Sequence, residues 1–104
     1  MPAFRSQIFS IEVINGEGIT TVPISALQSR LQMVAIQVPN HDNTITYSID
    51  FTDSDGFGIT GRDGLGGDTT FTEDTICQGN IVLTISSASS DGLYSVKLWF
   101  LENF

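Results

Sequence analysis

The sequence predicts an all-β protein, an antiparallel sandwich of about seven to nine short strands, and three observations carry that expectation. Its strongest apolar segments alternate with period two, the signature of half-buried strands. Turn dipeptides such as Asn15-Gly16, Asp55-Gly56, Gly66-Gly67, Gln78-Gly79 and Asp91-Gly92 divide them at short intervals. Only one stretch, residues 25–32, shows helical spacing, with Leu27 and Leu31 four apart, and it is shorter than three turns. A brief helix or a turn of 3₁₀ is expected there.

Taken in order, residues 6–14 place Phe9, Ile11 and Val13 on one face and Ile8, Ser10 and Glu12 on the other. Weaker strands follow at 19–24 and 31–38. Residues 44–51 give the clearest alternation, with Ile45, Tyr47, Ile49 and Phe51 set against Thr44, Thr46, Ser48 and Asp50. Shorter runs at 57–60 and 69–73 are weaker again. Residues 80–86 repeat the pattern through Ile81, Leu83 and Ile85. The last run puts Tyr94, Val96, Leu98 and Phe100 on one face and Leu93, Ser95, Lys97, Trp99 and Leu101 on the other. The expected core is Phe9, Ile11, Val13, Ile45, Tyr47, Ile49, Ile81, Leu83, Ile85, Tyr94, Val96 and Leu98. Many short strands between regular turns suit an immunoglobulin-like or a jelly-roll-like sandwich.

With 104 residues and 40% apolar content, the chain suits one domain, 1–104, holding its own core. Its net charge of −8 would be repelled by phosphate backbones and anionic lipid, so neither nucleic acid nor membrane is an expected partner. A single cysteine, Cys77, cannot close an intrachain disulfide. The first residues lack the charged and apolar regions of a signal peptide, so synthesis in a cytoplasm without such a peptide is expected.

Charge is uneven. Residues 50–74 hold seven acids against Arg62 alone, a net of −6. Asp53-Ser54-Asp55-Gly56 has the carboxylate spacing and the glycine of a calcium loop, which makes Asp53 and Asp55, with Asp50 or Asp63 nearby, the candidate metal ligands. The full loop pattern would need an acid at position 51 and a bidentate Glu at 62, where Phe51 and Arg62 stand. A hairpin turn with solvated aspartates fits better, and no metal or other cofactor is expected. The Gly-rich stretch 61–68 lacks the Lys and Ser or Thr of a phosphate loop, and Asp63 and Asp68 would repel an anion. It is expected to be a surface loop. His41, the one histidine, falls after Pro39 in what reads as a turn, where a solvated side chain is the ordinary outcome. No serine stands in a Gly-x-Ser-x-Gly elbow and Cys77 has no histidine close in sequence, so no catalytic residue is expected.

Trp99 poses a choice. With Leu93 and Leu101 it forms the second face of the last strand, which either underlies another core layer or forms an interface. Phe104 extends the same apolar character to the chain end. Trp99, Leu101, Phe104 and Leu93 are therefore the expected interface residues, and a homo-oligomer is the expected form.

Residues 89–96, Ser-Ser-Asp-Gly-Leu-Tyr-Ser-Val, resemble the Asp-x-Gly-x-Tyr region of the tyrosine corner in immunoglobulin-like sandwiches, one residue short at the aspartate. The resemblance implies that Tyr94 hydrogen-bonds back to the turn while its ring packs in the core. The longer span 44–101, from Tyr47 through the Asp53 to Phe57 turn, the Gly-rich stretch, Thr69-Thr70-Phe71 and the Asp91 to Tyr94 strand, resembles small β-sandwich virion proteins of tailed bacteriophages. That likeness implies a structural protein decorating or cementing a capsid, or sitting at the neck or tail. Its partners would be the major capsid protein or other virion proteins, its location the virion. A small carbohydrate-binding module is the alternative, with Trp99 as the aromatic platform.

Overall fold

A computed structural model describes residues 3–24 and 29–102. Eight strands form in it: β1 (Ala3–Val13), β2 (Gly18–Val22), β3 (Ser29–Gln37), β4 (Thr46–Asp53), β5 (Gly58–Gly66), β6 (Thr69–Cys77), β7 (Ile81–Ser86) and β8 (Gly92–Glu102). Among the described residues one 3₁₀ turn forms, Pro39–His41, between β3 and β4.

The strands make two four-stranded antiparallel sheets, ordered β1-β8-β3-β6 (sheet A) and β2-β7-β4-β5 (sheet B). Pairing is nested: β4 with β5, β3 with β6, β2 with β7, β1 with β8. Eight strands wound this way are a jelly roll. Of the two sandwich types expected, the immunoglobulin-like one is therefore set aside, because there the first and last strands do not close the same sheet as neighbours in this order.

Period two explains the core. Alternate residues of every long strand face the gap between the sheets, and Ile11, Val13, Leu31, Val34, Ile36, Ile45, Tyr47, Ile49, Phe51, Ile81, Leu83, Ile85, Tyr94, Val96, Leu98 and Phe100 are buried there. Eleven of the twelve expected core residues are among the buried ones. The exception is Phe9, which is only partly buried because β1 is an edge strand with a neighbour on one side. The buried rings of Tyr47 and Tyr94 meet edge to face, centroids 5.7 Å apart.

Two further expectations change. The Gly-rich stretch is not a surface loop: residues 61–66 belong to β5, hydrogen-bonded to β4, and only Gly67 and Asp68 turn the chain into β6. Gly61 leaves room in that strand for the exposed Asp50 side chain across it, whose Oδ1 would lie 2.3 Å from an added Cβ and would have to swing aside. The helix expected over 25–32 is replaced at 29–32 by the start of β3, where Leu31 points into the core; 25–28 lie outside the described residues. Helical spacing of two leucines loses here to the pairing of β3 with both β6 and β8.

Candidate functional site

The outward face of sheet A is the surface on which the chain concentrates apolar side chains. Because Tyr94, Val96, Leu98 and Phe100 point inward, β8 must present Leu93, Ser95, Lys97, Trp99 and Leu101 outward. Register then places residues distant in sequence side by side. Phe4, Leu101, Arg30 and Ile76 form one row across the sheet; Ser6, Trp99, Met33 and Thr72 form the next; Ile8, Lys97, Ala35 and Thr70 the third. Phe4 is 80% exposed, Ile8 65% and Ile76 53%. Among the described residues no second layer covers this face, so the choice posed by Trp99 falls to an open surface rather than a further core layer.

Trp99 itself is half-buried. The small Ser6 and the flexible Met33 flank it, and the Lys97 ammonium sits 4.6 Å from its ring centroid in a cation–π contact. A groove of about 220 Å³ runs beside it, lined by Ile8, Ala35, Gln37, Ser95, Lys97 and Trp99. Arg30 pairs with Asp74 at 3.3 Å on the same face. Arg30 and Lys97 thus balance Glu12 and Asp74, and the face carries no net charge in a chain of net charge −8. A face with no net charge of its own adds nothing to the repulsion set up by the rest of the acidic chain when it approaches another protein.

Of the expected interface residues, Trp99 and Leu101 lie together. Leu93 does not join them: it stands opposite Glu12 at the other end of the sheet, six residues or roughly 20 Å along β8 from Trp99. Phe104 lies outside the described residues. Phe4, Ile8, Met33 and Ile76 complete the patch and were not singled out from the sequence. Ile8 was the one with a signal, an isoleucine on the polar side of its alternation; the others depend on register.

The acidic expectation resolves into turn chemistry. Asp53 Oδ1 accepts hydrogen bonds from the backbone N–H of Asp55 at 3.0 Å and of Phe57 at 2.9 Å, closing the β4–β5 hairpin with Gly56 at φ +90°. Asp55 is exposed in that turn, Asp50 lies on the outward face of sheet B opposite Gly61, and Asp63 is exposed further along β5. Among the described residues no group of three or more His, Cys, Asp or Glu is placed to hold a metal ion.

His41 is not simply solvated. Its Nδ1 lies 2.5 Å from Asp68 Oδ2, while Asp68 Oδ1 accepts the Val38 N–H at 2.9 Å, tying the 3₁₀ turn to the β5–β6 turn. The bond to His41 first, and that to Val38 second, hold the Asp68 carboxyl below the usual carboxylate range. Cys77 is a free, buried thiol whose pKa burial pushes up, which suits an inert core residue rather than a nucleophile. Tyr94 makes the bond its resemblance implied: its hydroxyl donates to the Ser90 carbonyl at 2.7 Å. Nearby, the Asp91 carboxylate accepts from the N–H groups of Gly16 and Asn15, both at 2.9 Å, and these bonds hold its pKa down.

No family model matches the chain, and no curated protein matches it. Among solved structures, it is similar to a chain in the structure of infectious bursal disease virus, Gx strain, at 17% identity and TM-score 0.42, covering 98% of this chain and 32% of that one. The chain thus spans about a third of the length of that viral protein. It is also similar to the carbohydrate-binding module CBM36 in complex with calcium and xylotriose, at 13% identity and TM-score 0.42, covering 89% of this chain and 76% of that one. A third is the CBM36-1 domain of a multidomain xylanase from the hindgut metagenome of Trinervitermes trinervoides, at 8% identity and TM-score 0.45, covering 96% and 98%. At such identities and TM-scores none of these likenesses assigns a role. No helix among the described residues is long and apolar enough to cross a membrane.

Proposed function

We propose that the protein is a structural, non-enzymatic virion component of the accessory type, decorating or cementing a phage capsid, and that it docks through the outward face of sheet A. The observation that carries this reading is the apolar patch of Phe4, Ile8, Met33, Trp99 and Leu101, on a face of no net charge in a strongly acidic chain. An open patch of this kind marks association, and each such side chain fully buried is worth roughly 1.5–3 kcal/mol. Jelly rolls serve both as shell proteins and as lectin-type domains, so the fold narrows the choice by analogy without deciding it. The acidic turns at Asp53 to Phe57 and Asp68 lie away from the patch and would face outward or meet a basic partner.

Carbohydrate binding is the second reading, favoured by the groove in which Gln37 and Ser95 accompany Trp99. Against it, the Lys97 ammonium already occupies the face of the indole ring on which a sugar would stack. Co-sedimentation with assembled phage shells tests the first reading. Retention by the shell, lost in Trp99→Ala and Leu101→Asp, is the expected result. A chain that binds no shell, neck or tail component but gives a signal on a glycan array, abolished by Trp99→Ala, overturns it.

A further inference from the structure

The four edge strands of the sandwich differ in how they are protected against pairing. β2 is five residues long, β5 departs from regular register at two places against β4, and β6 carries an irregularity opposite Leu31 and Met33 together with Glu73 and Asp74. Shortness, bulges and charge are the usual ways of blunting an edge. β1 is neither short nor irregular: eleven residues run against β8 from Ala3 to Val13 without a break, and the one charge in its first half, Arg5, is neutralised by Glu102 of the adjoining strand. Its other side has no strand beside it among the described residues, and there alternate residues present free backbone N–H and C=O groups.

We propose that two copies of the chain pair through β1, antiparallel about a two-fold axis at Ser6, so that sheet A continues into its mate as one eight-stranded sheet. The proposal deepens the structural reading above by naming a second copy as an occupant of this region, and its test is separable from that of shell binding.

The strand's own sequence selects the register. A two-fold axis perpendicular to the sheet keeps outward residues opposite outward ones. Centred on Ser6, the pairing sets Phe4 of each copy against Ile8 of the other, Arg5 against Gln7 and Ala3 against Phe9. Centred on Ile8 it would set Phe4 against Glu12, and centred on Gln7 it would set Phe4 against Ser10. Only the Ser6 register matches the two most exposed apolar residues of the strand to each other.

One observation at the edge points to a missing neighbour. Phe9 faces inward yet stays partly open, and the copy's strand would lie across it. Arg5 is held within its own chain, Nε pairing with Glu102 at 2.5 Å and Nη1 donating to Gln7 at 2.8 Å. In this register the other copy's Gln7 lies directly opposite Arg5, so no like charges meet across the seam. Charge argues for a second copy at this edge rather than any other. The acidic span 50–74 belongs to β4, β5 and β6, and β6 is three strands from β1, roughly 14 Å away, so the two negative fields are held apart.

Cross-linking tests the register. Opposed Cβ atoms on neighbouring strands lie about 4.5–5.5 Å apart, within reach of a disulfide after small adjustment. Ser6→Cys should give a disulfide-linked dimer under mild oxidation, because residue 6 faces its own copy. Ser10→Cys should give none, its two copies lying eight residues, or roughly 27 Å, apart. Both sites are exposed, and the native Cys77 is buried. Sedimentation of the unmodified chain should show a concentration-dependent dimer that Ile8→Lys shifts to monomer. A chain monomeric at every concentration, or Ser10→Cys linking as readily as Ser6→Cys, overturns the pairing. Dimerisation retained without any shell binding supports the pairing and overturns only the docking role.

Discussion

Replacing Gly18 by alanine tests how closely β2 crosses β1. A Cβ at Gly18 would lie 2.6 Å from the Glu12 carbonyl oxygen, 2.7 Å from Ile11 Cγ2 and 3.1 Å from Val13 Cγ2. The carbonyl belongs to a strand fixed by unbroken pairing with β8, so it cannot retreat alone. Overpacking of this kind costs about 1–3 kcal/mol, and contact with backbone puts the cost at the upper end. Against it stands the smaller unfolded-chain entropy of alanine, worth about 0.4–1 kcal/mol. A net loss of about 2 kcal/mol follows. With a urea slope of about 1–1.5 kcal/mol/M for a domain of this size, the unfolding midpoint should fall by roughly 1–2 M. Gly58→Ala is the matched control: that glycine is also in a strand, has no positive φ, and has no atom within 4 Å of the added Cβ. Its midpoint should hold or rise. Equal shifts for the two variants would refute the close approach of β1 and β2 as the cause.

Three other outcomes are expected. Tyr94→Phe should cost about 0.5–1 kcal/mol by chemical denaturation, the low end for a neutral hydrogen bond because Ser90 is exposed and water can replace the hydroxyl; a loss above about 2 kcal/mol would mean the bond does more than close the turn. Asp68 and Asp91 both have carboxyls held below their ordinary value of 3.8, so their contribution is present above that pH and is lost as pH falls through the lowered folded values. The double variant Asp68→Asn, Asp91→Asn should therefore show a flatter loss of thermal stability below about pH 4 than the parent, and parallel acid limbs would contradict those assignments. Calcium and chelator should give superimposable melting curves, since the Asp53 Oδ1 is already engaged by two backbone N–H groups; a rise in Tm with calcium, removed by Asp53→Ala, would restore the calcium loop.

How much was legible in the sequence follows from the range of the forces involved. Alternation is local, so the strands through Ile45 to Phe51, Ile81 to Ile85 and Tyr94 to Phe100, and nearly all of the core they supply, could be read directly. Composition misled where tertiary pairing overrode it. Glycines at 61, 64 and 66 look like a loop, yet β4 supplies the hydrogen bonds that make an edge strand of them. Phe9 has the pattern of a core residue, but its exposure depends on β1 lying at an edge, which is a fact of strand order. The candidate face shows the same division. Trp99 and Leu101 were visible as outward residues of one strand; that Phe4 stands beside Leu101 is a contact between residues 97 apart, invisible without the register. The bond between His41 and Asp68 is likewise made by two turns that only the fold brings together.

Nested pairing also constrains how the chain is made. β1 leaves the ribosome first, but its partner in sheet A is β8, whose Gly92 pairs with Val13. At about 5–20 residues per second, the intervening span takes roughly 4–16 s to add. Through that interval Phe4, Ile8, Phe9, Ile11 and Val13 form an apolar segment without its native neighbour, while the β4–β5 hairpin is the one pairing available locally. Synthesis and folding are therefore uncoupled for the outer half of the molecule. Whatever guards the nascent chain must hold β1 longest, with β2 waiting in the same way for β7 and β3 for β6.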